Sequence, residues 1–137
     1  MSNAIAAVLP AMLRRHHGVM AGIASVAGYR GLADAEAYGA TKAAQINLLE
    51  SLRVHLARTG VRVTTVCPGL VRTGLTAGNR FPMPFIIEGG QAARSICDGL
   101  ERDRTEIVFP PIALLMKTAR LVPARAWTAL WARTSLT

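Results

Sequence analysis

The sequence predicts an α/β fold built on a doubly wound parallel sheet. Three observations support this: helical and strand-like segments alternate, the strand-like segments are short and largely apolar, and Gly or Pro residues follow each of them. The clearest case is the β-branched run VRVTTVC at 61–67, which begins directly after a helical pattern closed by Gly60. A helix joined so closely to a strand is typical of a parallel sheet.

The first helix and strand are predicted within residues 1–26. Apolar side chains form one helical stripe between Ala4 and His17, where Pro10 should loosen the helix and Gly18 should cap it. Residues 18–26 are small and apolar, which predicts a buried strand leading into a glycine-containing turn. Ser25 therefore falls at the end of this strand.

Two further helix–strand units follow. The longest helical pattern covers 36–58 and precedes the strand at 61–67. A loop rich in Gly, Pro and Thr is predicted at 73–84, followed by a helix at 91–102 and a strand at 105–109. The resulting order, α-β-α-β-α-β, is that of a doubly wound sheet.

Residues 111–137 are predicted to form a basic amphipathic helical extension of a partial domain at 1–110. The extension is apolar with scattered Lys and Arg, contains Trp127 and Trp131, and has no acidic residue. We expect it to pack over a substrate pocket or a subunit contact, with weak contact to a membrane surface as the alternative. The expected location is cytoplasmic, with peripheral membrane association under that alternative.

The charge distribution does not favour a nucleic-acid partner. Lys and Arg number 16 against 8 Asp and Glu, giving a net charge of +8, but the cations, Arg53 among them, are scattered near predicted helix ends, where they are expected to face solvent. Cys67 and Cys97 lie in apolar stretches without metal spacing and are expected to be buried free thiols. No metal site is predicted, because the adjacent His16 and His17 would diverge on a helix.

Tyr38 and Lys42 form a candidate acid/base pair. They stand four residues apart near the start of a helix, which places phenol and ammonium on one face. A nearby cation stabilises a phenolate, the form of tyrosine that accepts a proton. Ser25, thirteen residues before Tyr38, lies at the carboxyl edge of the sheet, where its hydroxyl can hydrogen-bond a substrate carbonyl.

Three segments, in this order, resemble the short-chain dehydrogenase/reductase family. They are VLPAM at 8–12, IASVAGYRGLADAEAYGATKAA at 23–44 and VCPGLVRT at 66–73. The resemblance extends over residues 4–109 and identifies them with the carboxyl-terminal part of the family's domain. It implies the carboxyl-terminal half of a Rossmann-like doubly wound parallel sheet, with extra carboxyl-terminal helices.

The resemblance also implies an activity. Tyr38 would be the general acid/base in the interconversion of a carbonyl and an alcohol, Lys42 would assist it, and Ser25 would orient the reacting oxygen. NAD or NADP would carry the hydride. The FPMPF run at 81–85 falls in the family's variable substrate loop, and its apolar character predicts a hydrophobic substrate.

The same resemblance implies a cofactor-binding set. Tyr38 and Lys42 would hold the nicotinamide ribose. The residues expected to line the nicotinamide end are Pro68, Gly69, Val71 and Thr73.

The phosphate-binding loop of the family is missing from the sequence. No Thr-Gly-x-x-x-Gly-x-Gly segment precedes the matching region, so we expect an amino-terminally truncated chain that does not bind NAD or NADP tightly by itself. Full-length members would act on a small-molecule carbonyl or alcohol as homo-oligomers.

Two other functions stay open. One is a catalytically inactive fragment, or a partner that associates with other subunits through its long helices. The other, more distant, is a hydrolase using Ser25 as nucleophile and Lys42 as base, which leaves Tyr38 unexplained.

Overall fold

A three-stranded parallel sheet lies at the centre of the computed structural model, which describes residues 1–74 and 85–132. The helices are α1 (Ser2–Arg14), α2 (Glu36–His55), α3 (Gly89–Glu101), α4 (Leu114–Thr118) and α5 (Ala124–Trp131). The strands are β1 (Gly18–Ile23), β2 (Val61–Pro68), β3 (Val71–Arg72), β4 (Ile87–Glu88) and β5 (Glu106–Phe109).

The central strand of the sheet is β2. Ile23 at the end of β1 lies opposite Val66, and Phe109 at the end of β5 lies opposite Pro68. All three strands run in the same direction, so their carboxyl ends meet at one edge, where open α/β sheets bind ligands. The short strands β3 and β4 pair with each other in a separate parallel ribbon.

Helices cover both faces of the sheet. On one face α1 and α2 pack around Met20, Leu49 and Val63, and on the other α3 packs around Val66 and Ile107. Val63 and Val66 support different helices because successive side chains of a strand point to opposite faces. Burying a side chain such as Leu49 contributes about 1.5–3 kcal/mol. The predicted α/β fold with a doubly wound parallel sheet is confirmed.

The first helix ends differently from the prediction. α1 stops at Arg14, and Gly18 is the first residue of β1 rather than a helix cap. His16 adopts the left-handed conformation instead, with φ of 50°, and its N–H donates to the carbonyl of Leu13. Histidine tolerates this conformation better than branched residues do, so the chain turns without glycine. Pro10 lies inside α1 without ending it.

The other predicted elements are present with shifted ends. β1 ends at Ile23, and a 3-10 turn at Val26–Gly28 occupies the end of the predicted strand. α2 ends at His55 rather than at residue 58. The ribbon of β3 and β4 was not predicted, because strands of two residues carry no periodic signal.

The carboxyl-terminal extension is helical over its described part. It contains α4 and α5, joined by a 3-10 turn at Ala119–Leu121. Within residues 1–74 and 85–132, no helix has the length and apolar character needed to cross a membrane. The division into a domain at 1–110 and an extension at 111–137 stays a prediction.

Two expectations about individual side chains are wrong. Cys97 is exposed on α3, whereas Cys67 is fully buried in β2 as expected. Arg53 does not simply face solvent: its guanidinium donates to the carbonyls of Val63 and Thr105 and to the hydroxyl of Thr65. The difference arises because Arg53 lies on the side of α2 that faces the sheet.

Candidate active site at the carboxyl edge of the sheet

Ser25 lies just beyond β1 at the carboxyl edge of the sheet. Its hydroxyl oxygen accepts a hydrogen bond from the Ala27 N–H at 3.2 Å, which makes Ser25 the cap of the 3-10 turn. The same oxygen lies 3.5 Å from the carbonyl oxygen of Pro68 at the end of β2. Ser25 is therefore held between two neighbouring strand ends, and its side chain is buried.

Tyr38 and Lys42 lie one turn apart in the first half of α2. The Lys42 ammonium is 5.6 Å from the centre of the Tyr38 ring. It donates to the carbonyl oxygen of Ile23 at 3.0 Å and to the Gln45 side chain at 3.2 Å. These bonds fix the cation beside the phenol, and Tyr38 is 51% exposed, so its ring is accessible to a ligand.

The bond from Lys42 to Ile23 brings the three predicted catalytic residues to one place. Ile23 ends β1, and Ser25 follows it by two residues, so the lysine is anchored to the backbone that carries the serine. A hydroxyl, a phenol and an ammonium thus share one sheet edge. This combination can orient a carbonyl oxygen, transfer a proton to it and stabilise the charge that forms.

The predicted cofactor-binding segment follows β2 directly. Gly69 extends the pairing with β5 by donating to the Phe109 carbonyl at 2.7 Å, which fixes the chain as it leaves the sheet. Val71 belongs to β3, and Thr73 is exposed just beyond it. Pro68 lies beside Ser25, so this segment starts at the candidate catalytic edge. The predicted substrate loop at 81–85 lies outside the described residues except for Phe85.

A polar cluster that begins at the buried side chain of Tyr29 lies behind the turn that carries Ser25. The Tyr29 hydroxyl donates to one carboxylate oxygen of Glu106 at 2.7 Å, and Lys117 pairs with the other oxygen. Burial, reinforced by contacts with Cys67 and Glu106, raises the pKa of Tyr29 above its usual value. Burial opposes ionisation of Glu106, but the hydrogen bonds from Lys117 and Tyr29 prevail and lower its pKa.

The cavity beside this cluster is not the candidate substrate site. It has a volume of about 190 Å³ and is lined by Tyr29, Arg53, Glu106 and Lys117, among others. Neither Ser25 nor Tyr38 lines it. Acids and cations are mixed along its wall, which suits water and internal ion pairs better than one charged ligand.

The sequence and the structure both match known oxidoreductases. The family model described as short chain dehydrogenase matches residues 1–82. An oxidoreductase of Myxococcus xanthus is 45% identical over 120 residues, which cover 87% of this chain and 47% of that protein. The chain belongs to the short-chain dehydrogenase/reductase family.

Two further similarities extend across most of the chain. Human 17-beta-hydroxysteroid dehydrogenase 13 is 29% identical over 124 residues, covering 88% of this chain and 41% of that protein. The crystal structure of a short-chain dehydrogenase from Burkholderia cenocepacia in complex with NADP has the same fold, with a TM-score of 0.80 at 24% identity. That match covers 98% of this chain and 55% of the other.

The chain spans about half the length of the relatives it matches, between 41% and 47% of those two proteins. The residues present nevertheless suit one end of the family's nicotinamide cofactor. Among the described residues, Lys42 uses two of its three N–H donors on Ile23 and Gln45, and the third can bond a ribose hydroxyl. The exposed Tyr38 adds a hydroxyl on the same helix, one turn from Lys42.

Sequence reasoning missed several residues that shape this site. Gln45 holds the Lys42 ammonium, and its spacing of three residues on a helix was a usable signal. The link between Tyr29 and Glu106 joins residues 77 positions apart and has no local signature. The same holds for the contact of Arg30 with Trp127.

Proposed function

We propose that this chain provides the proton-transfer site of an NAD(P)-dependent oxidoreductase that interconverts a carbonyl and an alcohol. Membership of the family supports the general class, since its relatives include oxidoreductases. The observation that carries the finer proposal is the placement of the Lys42 ammonium between the Tyr38 ring and the backbone of Ile23, next to Ser25.

Each residue has a separate role in this proposal. In the direction of reduction, Ser25 donates a hydrogen bond to the substrate carbonyl oxygen, and the Tyr38 hydroxyl transfers its proton to that oxygen. Lys42 stabilises the phenolate left on Tyr38. When bound, NADH or NADPH supplies the hydride to the carbonyl carbon. In oxidation the phenolate accepts the alcohol proton.

The nicotinamide end of the cofactor is proposed to lie along the chain that leaves β2. Lys42 and Tyr38 would bond the ribose, and the lining residues would be Pro68, Gly69, Val71 and Thr73. The similar Burkholderia protein is described in complex with NADP. Tight binding is proposed to require sequence beyond this chain, because the 137 residues contain no glycine-rich phosphate loop.

The proposed substrate is a small hydrophobic ketone or its alcohol. The apolar FPMPF run supports this, and so does the name of the human relative, a hydroxysteroid dehydrogenase. We also propose that copies associate as homo-oligomers. Val8 on α1 and Val54 on α2 are 44% and 75% exposed, and apolar side chains on neighbouring helices suit a subunit contact.

The proposal is tested in a fusion that joins this chain to the part of the Myxococcus relative outside the matched region. The fusion should consume NADH or NADPH with a panel of hydrophobic ketones, followed by the loss of reduced-cofactor absorbance. Tyr38→Phe should lower kcat by about 100- to 10,000-fold, because the proton donor is lost. Ser25→Ala should lower it by about 100-fold or more.

Ser51→Ala is the matched control, since it removes an exposed serine hydroxyl from α2 at a distance from the site. It should retain the activity of the parent fusion. An active fusion that tolerates Tyr38→Phe would overturn the proposed role. Labelling by a serine-directed acylating reagent, abolished by Ser25→Ala, would favour a hydrolase instead.

A further inference from the structure

Three successive residues that follow the Ser25 turn each contact the carboxyl-terminal extension. Tyr29 reaches Lys117 through Glu106. Arg30 donates to the carbonyl oxygen of Arg120 at 3.3 Å and to that of Val122 at 3.0 Å. The next residue, Gly31, accepts a bond from the Trp127 indole at 2.7 Å.

Arg30 and Trp127 also contact each other directly. The guanidinium carbon of Arg30 lies 5.3 Å from the centre of the Trp127 ring, within the range of a cation–π interaction. Trp127 lies in turn 5.7 Å from Trp131, centre to centre. The arginine is thus held by two carbonyls and an aromatic face, and the indole both covers it and bonds the neighbouring backbone.

These contacts act on the turn that carries the Ser25 hydroxyl. The N–H of Gly28 donates to the carbonyl of Ser25 and that of Tyr29 to Val26, both at 3.0 Å. Arg30 directly follows Tyr29, whose N–H is the last donor of this short hydrogen-bonded turn. The turn includes the Ala27 N–H that fixes the Ser25 hydroxyl.

We propose that Arg30 and Trp127 are positioning residues through which the carboxyl-terminal extension holds Ser25 in place. The inference rests on the proposed function, in that Ser25 is taken to bond the substrate carbonyl. The role of the extension in this proposal is to restrain, through its contacts, the residues that connect Ser25 to α2. Neither Arg30 nor Trp127 belongs to the proposed catalytic or cofactor-binding set.

The test is amide hydrogen exchange on the 137-residue chain at low micromolar concentration, read by mass spectrometry. The reporting peptide covers 24–31, whose N–H groups form the Ser25 turn, and the reference peptide covers β2 at the centre of the sheet. Arg30→Met removes the guanidinium and keeps an aliphatic stem. Trp127→Phe keeps a ring and removes the indole N–H.

In Arg30→Met we expect exchange in the reporting peptide to rise by about tenfold, with the reference peptide changed by less than about twofold, because a local opening is released without global unfolding. Trp127→Phe should give a smaller rise in the same peptide. Arg125→Met, an exposed arginine of α5, is the matched control and should change neither peptide.

Unchanged exchange at 24–31 in both variants would overturn the inference. Equal increases in both peptides would overturn it too, since they would show a general loss of stability. The exchange experiment and the activity test can fail separately. A fusion that tolerates Tyr38→Phe would contradict the proposed role of Tyr38 but not the restraint of the Ser25 turn. Unchanged exchange would contradict that restraint but not the roles of Tyr38 and Lys42.

Discussion

The two outer strands of the sheet differ in how they are covered. Beside β5, Glu106 bonds Tyr29 and Lys117, and Phe109 is almost fully buried. At the other side, β1 pairs with β2 along its whole length, yet Ile23 is 46% exposed. Strands of parallel sheets are normally covered on both faces, and among the described residues the β1 side is the less completely covered of the two.

The largest difference in stability between the β1 side and the β5 side should come from substituting one glycine on each side. Gly60 precedes β2 with φ of 79°, and a Cβ there would lie 2.0 Å from the backbone oxygen of His16, just before β1. At Gly99 a Cβ would lie 2.4 Å from the end of the Ile107 side chain on β5. The Ile107 side chain can move aside to make room for a Cβ at Gly99. The His16 backbone cannot do so for a Cβ at Gly60, because it is fixed by the turn into β1.

We therefore expect Gly60→Ala to lower the free energy of unfolding by about 3 kcal/mol or more, through backbone strain and overlap together. Gly99→Ala should cost about 1–3 kcal/mol, as overpacking of a mobile side-chain end does. Urea unfolding followed by circular dichroism measures both. If both substitutions lowered the free energy of unfolding equally, the β1 side would accommodate an added methyl group as easily as the β5 side.

Glu106 links β5 to the extension through Lys117, and removing its negative charge should have an intermediate effect on the free energy of unfolding. Glu106→Gln should lower stability at pH 7 by about 1.5–3 kcal/mol, because charge-assisted bonds to Lys117 and Tyr29 are weakened. The pKa of Glu106 is lowered by folding, so its contribution is present above its unfolded value of about 4.5 and is lost as the pH falls through the folded value.

The measurement is the difference in unfolding free energy between wild type and Glu106→Gln at several pH values between neutral and strongly acidic. The difference should shrink below pH 4.5. Other carboxylates titrate equally in both proteins and cancel. A difference that stays constant with pH would mean that the side chain contributes through packing alone.

The smallest effect on stability, but a clear effect on association, is expected from a charge at the β1 edge. Ile23→Lys should change the unfolding free energy by less than about 0.5 kcal/mol, as surface substitutions do. It should also raise the concentration at which the 137-residue chain self-associates, because an edge lysine opposes strand pairing. Sedimentation velocity over a concentration series provides the measurement.

Val54→Lys on α2 is the comparison for this experiment, since it adds the same charge to an exposed valine on a helix. If Val54→Lys, rather than Ile23→Lys, gives the monomer, association takes place through the helices. That outcome would favour an ordinary subunit contact over an open strand edge.

Local patterns predicted most of the fold. The β-branched run of β2, the stripe of α1 and the long helical pattern of α2 identified their elements, since each pattern reports which face is buried. The errors lie at element ends. The pattern makes Gly18 a helix cap, but His16 takes the left-handed conformation; nothing in the sequence shows which residue of a turn will do so.

The candidate catalytic residues were predicted from the sequence, but the residues that hold them in place were not. Tyr38 and Lys42 share a helix, so their spacing is informative. Arg30 and Trp127 meet only after the chain has folded, 97 positions apart, and tryptophan in a basic segment fits a packed helix and an interfacial helix equally. Their contacts favour packing against the domain, which was one of the two predicted alternatives.

The small ribbon of β3 and β4 bears on how far the chain between these two strands can vary. Val71 and Arg72 pair with Ile87 and Glu88, and an ion pair of 2.7 Å joins Arg72 to Glu88. The two ends of the intervening segment are thereby held side by side, and Val71 and Ile87 pack against the core on the α3 face of the sheet. Doubling the length of such a loop costs only about 0.6 kcal/mol of closure entropy. The sequence and length of the chain between the two strands can therefore change at little cost while Ser25, Tyr38 and Lys42 keep their places.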